Sequence, residues 1–193
     1  MTKQQSEQHY RPIFITSDIH LHCDQIDRIG LFCDFLNYSA TNAGQLYILG
    51  DLFDAWVGDD LIPQYQTLID KMVECYEKGL SIYFQLGNRD FLVGQSFIEA
   101  SKVRPLNDTV RTFLNDKTAL LLHGDTLCQN DSDYNQYRKM VRSRDWQTEF
   151  LEKPLSDRLA MVEALRASKS DKMNVEDYEK AMITPDQITR LAN

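Results

Sequence analysis

Residues 46–60 read LYILGDLFDAWVGDD. The apolar, strand-like run Leu46–Leu49 stops at Gly50, and Asp51 follows at once. Asp54, Asp59 and Asp60 come next, interleaved with Phe53, Trp56 and Val57. A surface loop has no need of Trp and Phe, and a core does not tolerate an unpaired Asp. The stretch therefore predicts a buried strand that delivers Asp51 to something able to neutralise it. Phe53, Trp56 and Val57 are read as an apolar wall beside that site. Asp59 and Asp60 are read as caps of the following helix or as acceptors around the site.

The pattern recurs on both sides. PIFITS (12–17) is a short apolar strand ending at Asp18, and Ile26, Ile29, Phe32, Phe35 and Leu36 then fall on one helical face. Leu68, Ile69, Met72, Val73 and Tyr76 mark a second helix, stopped at Gly79, before the strand LSIYFQL (80–86). FLVGQSFIEASK reads as a short helix, and TVRTFL and TALLL flank NDK as a hairpin leading into His123. Strand–helix alternation predicts an α/β fold with a parallel or mixed sheet covered by helices. From about residue 132 to 182 the pattern is helical and amphipathic, with a break near Pro154, as in a cap inserted on the core.

Hydrophobic content of 42% and charged content of 26% over 193 residues indicate a soluble globular chain with a real core. No apolar run approaches the roughly 20 residues of a membrane span, and the start lacks an export signal. Cys23, Cys33, Cys75 and Cys128 form no CxxC pair and read as reduced thiols of a cytoplasmic protein. The net charge of −8 argues against general nucleic-acid binding. Residues 134–172 nevertheless carry nine Lys/Arg against six Asp/Glu. Charge alone makes that segment a solvated helical face; a membrane or anionic substrate is the alternative.

Four polar motifs each follow an apolar strand: Asp18-Ile19-His20, Gly50-Asp51, Gly87-Asn88-Arg89-Asp90 and His123-Gly124-Asp125. The intervals from Asp18 to Asp51, Asn88 and His123 are 33, 37 and 35 residues in turn, each suited to one strand-plus-helix unit. Parallel strands place such ends along one edge. Asp18 and His20 point the same way if the chain stays extended. Two Asp, two His and one Asn make an oxygen and imidazole set suited to Mn²⁺, Fe²⁺ or Zn²⁺. Two such ions about 3.5–4 Å apart bind both the attacking water and a phosphoryl oxygen, and Arg89 is placed to neutralise phosphate charge. Singly, each motif is more often a turn, a cap or a satisfied core histidine. Jointly, in this order and at strand ends, they favour a metal site.

These motifs resemble those of the calcineurin-like metallophosphoesterases. The longer strings SDIHL, YILGDLFDAWVGDD, GNRDFLVG and HGDTLCQNDSDY are similar to the UDP-2,3-diacylglucosamine diphosphatases of lipid A biosynthesis. The resemblance implies an α/β sandwich of mixed sheets flanked by helices, with a core over 1–131, a helical cap over 132–182 and a return to the core from 183–193. It implies two divalent cations, taken as Mn²⁺. Asp18 and His20 would bind the first, Asp51 would bridge, and Asn88 and His123 would bind the second. Asn88 and Arg89 would act in catalysis and contact the substrate diphosphate. Asp131 matches a substrate-contacting position, and Ser170 and Asn174 fit a pair on the cap, although Asp177 stands where a Lys is expected. The implied reaction cleaves UDP-2,3-diacylglucosamine to UMP and 2,3-diacylglucosamine 1-phosphate. The implied enzyme is a monomer, peripheral on the cytoplasmic face of the inner membrane, with no nucleic-acid partner. The alternatives are another nucleotide or phosphodiester hydrolase, a catalytically dead lipid- or nucleotide-binding fragment, and a flavodoxin-like domain with ordinary strand-end acids.

One expectation concerns the end of the chain. The superfamily closes its site with a late Gly-His-x-His, whereas the histidines here are His9, His20, His22 and His123. The reading is a fragment or a shortened form without the final strands, marginal in stability and with little activity alone. The coding sequence after residue 193 decides between the two: a Gly-His-x-His within about the next 20 codons marks a fragment, and its absence a shortened form.

Overall fold

The computed structural model describes residues 11–114, 117–127, 132–170 and 189. Strands β1 (Ile13–Thr16), β2 (Gln45–Leu49), β3 (Ser81–Gln85) and β4 (Arg104–Leu106) form one parallel sheet in the order β1-β2-β3-β4. Thr16 pairs with Ile48, and Leu49 with Gln85, so the carboxyl ends of the first three strands lie level. Helices α1 (Ile26–Asn42), α2 (Gln66–Glu77) and α3 (Gln95–Ser101) make the crossovers. A 3₁₀ segment, Asp59–Tyr65, precedes α2.

Period-two alternation sorts the strands' side chains. Leu46, Ile48, Ile82 and Phe84 enter one buried core with Phe32 and Leu36 of α1 and Leu68, Ile69 and Met72 of α2. Tyr47 and Tyr83 alternate away from that set, and their rings stack 4.6 Å apart. The wall residues Phe53, Trp56 and Val57 are fully buried, with Phe53 and Trp56 packed around Tyr65 and Phe97.

Several expectations need correction. Ile26, assigned to the buried face of its helix, is 77% exposed because α1 begins there and packs from Ile29 onward. Strand β4 carries Pro105, which argues against a strand, and it forms only as the sheet's edge. The hairpin, β5 (Thr109–Leu114) with β6 (Lys117–Leu122), is a separate two-stranded sheet, so His123 does not share the parallel sheet's edge by topology. Lys117, read as a turn residue, pairs with Leu114.

The cap segment forms α4 (Ser132–Val141), α5 (Arg144–Leu151) and α6 (Leu155–Ser170). Besides the break before Pro154 there is one at Ser143, whose Oγ caps α5 by accepting from Trp146 N. Residues 171–182 and, apart from 189, 183–193 lie outside the described residues.

Leu68 is completely buried and Phe113 is 75% exposed. Leu68→Ala is expected to cost about 2–5 kcal/mol, and Phe113→Ser about 0.5 kcal/mol or less. Urea denaturation of both variants checks the contrast.

Candidate metal centre

Pairing between β1 and β2 continues past the strands. Asp18 N donates to Gly50 O (3.1 Å), His20 N to Asp51 O (3.0 Å) and Leu21 N to Leu52 O (2.8 Å). This ladder sets Asp18 and His20 beside Asp51. The backbone is not extended here: φ is +55° at Asp18, +53° at His20 and +53° at Asp51. Those are three of the four non-glycine residues with positive φ among the described residues. Such conformations cost about 1–3 kcal/mol each and persist where the surroundings enforce them, commonly at functional sites. The expected shared direction of Asp18 and His20 thus arises from left-handed backbone, not from strand alternation.

Two glycines let the loops interlock. Gly50 has φ +83°, and a Cβ on it would lie 2.5 Å from His123 Nδ1. A Cβ on Gly87 would lie 2.1 Å from Asp51 Oδ1. Any side chain at either position would push the motifs apart.

Asp51 is 2% exposed. Its Oδ1 accepts from Arg89 N (2.9 Å) and lies 3.6 Å from His123 Nε2. Its Oδ2 lies 4.0 Å from His20 Nδ1 and 3.8 Å from Arg89 Nε. The two oxygens therefore face opposite imidazoles. Asp18 Oδ1 is 3.8 Å from His20 Nε2.

The polar bonding is unbalanced in a way that suits a cation. Leu49 O, 2.8 Å from His123 Nδ1, can only accept, so Nδ1 carries the hydrogen. His123 Nε2 lies 3.0 Å from Asn88 Oδ1 and 3.6 Å from Asp51 Oδ1, so an imidazole nitrogen and two oxygens converge. Such a set suits a divalent cation. His20 Nδ1 is buried with no hydrogen-bond partner. Asp18, His20 and Asp51 also offer ligand atoms within 4.8 Å of one another. The donors present thus fit divalent cations.

Asp90 was quoted in its motif without a role. It is completely buried and accepts from Gly87 N (2.6 Å) and Leu52 N (2.7 Å), joining the loops after β2 and β3. Burial, and the Asp51 charge more weakly, push its carboxyl up to about 6 against these N–H donors. Asp125 also has a part that the sequence did not announce. It accepts from Tyr134 Oη (3.0 Å) and Arg138 Nε (2.8 Å). Burial alone would raise its carboxyl, but Arg138, Tyr134 and Arg142 hold it below the usual carboxylate range. Arg142 donates to Gly87 O (2.9 Å), one residue before Asn88, so α4 is fastened to the loop after β3.

Asp59 does not cap the segment it opens. It accepts from Trp56 Nε1 (3.1 Å), Gly94 N (2.8 Å) and Phe97 N (3.1 Å), capping α3 instead. Asp60 pairs with Arg158 of α6, and Asp54 with Arg89 (3.0 Å). Asp131 and Asn174 lie outside the described residues, and Ser170 ends α6 with its side chain undescribed. Beside the cluster opens a cavity of about 520 Å³, lined by Asn88 and Arg89 and with Trp56, Phe91, Trp146 and Leu165 among its walls.

Residues 11–178 match the calcineurin-like phosphoesterase family. The chain belongs to that family, which uses divalent metals. Within it, the chain is 38% identical to the UDP-2,3-diacylglucosamine hydrolase of Chromohalobacter salexigens, covering 90% of this chain and 71% of the relative. The Haemophilus influenzae protein of the same name is 42% identical over 86% of this chain and 70% of its own length. That of Pseudomonas putida is 36% identical over 93% and 75%.

Asp90→Asn replaces an acceptor for two N–H groups with a side chain that must turn its own donor toward one of them. It is expected to weaken divalent-ion binding about 10–100-fold, measured by calorimetry with Mn²⁺, with the circular dichroism spectrum retained.

Proposed function

We propose that this chain hydrolyses the diphosphate of UDP-2,3-diacylglucosamine to UMP and 2,3-diacylglucosamine 1-phosphate, using two Mn²⁺ ions. The observation that carries this reading is the junction of two unlike environments. A carboxylate and imidazole cluster centred on buried Asp51 adjoins a 520 Å³ cavity walled by aromatic and aliphatic side chains. A substrate with a charged diphosphate and apolar acyl chains fits that junction. The relatives' name gives the same reaction class.

Asp18, His20 and Asp51 would hold one cation; Asp51, Asn88 and His123 the other. When bound, the cations supply Lewis-acid activation of water and of a phosphoryl oxygen. The reaction adds water across the P–O–P bridge: the water oxygen ends on one phosphate and the bridging oxygen leaves with the other. Arg89, steadied by Asp54 and beside Asn88, neutralises charge that builds on the phosphoryl oxygens. Leu49 O accepts from His123 Nδ1 and so orients the ring with Nε2 facing the site. Trp56, Phe91 and Trp146 exclude water from the acyl chains.

The proposed enzyme acts as a monomer. The basic cap also exposes Met140, Leu151 and Leu159, which supports docking on the cytoplasmic face of the inner membrane. No helix among the described residues is long and apolar enough to cross a membrane.

The test is UMP release by protein expressed from its complete gene. Turnover is expected with Mn²⁺ and is expected to vanish on chelation, and Arg89→Ala is expected to lower kcat about 10²–10³-fold. Faster cleavage of cyclic nucleotides than of UDP-2,3-diacylglucosamine would overturn the assignment.

A further inference from the structure

The cavity has two walls with no shared sheet or helix. One is the loop after β2, with Trp56 and Val57; the other is the cap, with Trp146 and Phe150 of α5 and Met161, Val162 and Leu165 of α6. Roughly a hundred residues of chain separate them, so their spacing rests on noncovalent contacts. Arg158 supplies one that reaches Val57 itself.

Arg158 is 4% exposed and lies on the first turn of α6. Its Nε donates to Lys153 O (3.0 Å), which anchors the guanidinium to the start of its own helix. Nη1 donates to Val57 O and to Asp60 Oδ1 (3.1 Å), and Nη2 donates to Asp60 Oδ2. The fork thus grips one backbone carbonyl and both oxygens of one carboxylate. Gly58 is what lets it reach: a Cβ there would lie 2.3 Å from Nη1. The neighbouring Asp59 holds Trp56 and α3. Arg158 and Asp60 therefore join α6 to the same short loop that carries the opposite wall. Arg158 does not line the cavity, and Lys153 O, Val57 O and the Asp60 carboxylate all lie outside the Asp51 cluster.

Arg158 is buried but the Asp60 side chain is half exposed, and an ion pair with a solvated member adds little net stability. Its distinctive property is geometry, because a bidentate fork tolerates small errors in placement poorly. We propose that Arg158 is a positioning residue for substrate specificity: by fixing α6 to Val57 and Asp60, it sets the spacing of the cavity walls and hence the affinity for acyl chains. The proposal rests on the reading of this cavity as the acyl site. It leaves the phosphoryl chemistry to the Asp51 cluster.

The experiment compares Arg158→Lys, which keeps the buried charge and loses the fork, with Arg158→Met and Asp60→Asn. Each is assayed on UDP-2,3-diacylglucosamine and on bis(p-nitrophenyl) phosphate, a diester without acyl chains. Acrylamide quenching of the two tryptophans, Trp56 and Trp146, one on each wall, is read in parallel. The expected result for Arg158→Lys is a KM for the lipid substrate raised about tenfold, with its kcat and the small-diester rate within about twofold of the parent and quenching increased. Equal loss on both substrates, or unchanged KM and quenching in folded Arg158→Lys, would overturn the proposal. Should the parent cleave the small diester and not the lipid, the substrate assignment fails by itself. Tryptophan quenching then decides the role of Arg158: increased exposure upholds the wall-spacing role and unchanged exposure removes it. Where Arg158→Met does not fold, Arg158→Lys and Asp60→Asn carry the same readouts.

Discussion

Asp51 holds a carboxylate out of solvent at the end of a buried strand, and the surrounding loops are shaped by the need to balance it. Its backbone is left-handed, its neighbours on either side of the sheet supply the facing groups, and Arg89 N donates to it directly. Gly87 has no room for a side chain because Asp51 fills that space. His123 arrives from a different sheet and is pinned by Leu49 O, the residue that ends the same strand. The glycines, the strained residues and the histidine tautomer are thus parts of one arrangement around a single negative charge.

The cap is tied to this arrangement at two points by arginines that answer core acids. Arg138 and Arg142 on α4 meet Asp125 and Asp108, and Arg142 reaches Gly87 O. Arg158 on α6 meets Asp60 and Val57 O. The net basic charge of the cap segment therefore has two destinations. Arg138, Arg142 and Arg158 turn inward to the acidic core. Lys139 and Arg144 sit on exposed positions.

The spacing of short polar motifs after apolar runs was enough to read the α/β class, the strands β1 to β3, the hairpin and the residues that meet around Asp51. These features are local or periodic, and periodicity survives in a bare sequence. Strand β4 was not legible because Pro105 argues against it and only the neighbouring strand makes it form. The left-handed turns at Asp18 and His20 were hidden because nothing in Asp-Ile-His itself demands them; the ladder to Gly50 and Asp51 does. Asp90 and Arg158 were missed for a related reason. Asp90 serves a backbone N–H 38 residues away, and Arg158 serves Val57 101 residues away. Pairs that distant leave no pattern in a single chain, and Asp59 was misassigned to its own segment because only the tertiary fold brings α3 beside it.

Asp18 and His123 lie 105 residues apart, and three of the four motifs follow a strand of the parallel sheet that must pair before its loop takes shape. The cluster cannot exist in a partly formed chain. Parallel pairing is non-local and slow to nucleate, so a cation has nothing to grip until the sheet and hairpin are in place. A cation held by these residues would therefore be a late guest, meeting a finished socket instead of guiding the chain toward one. Its grip would act on the completed fold, lengthening the lifetime of the native state while leaving the speed of reaching it to the apolar core.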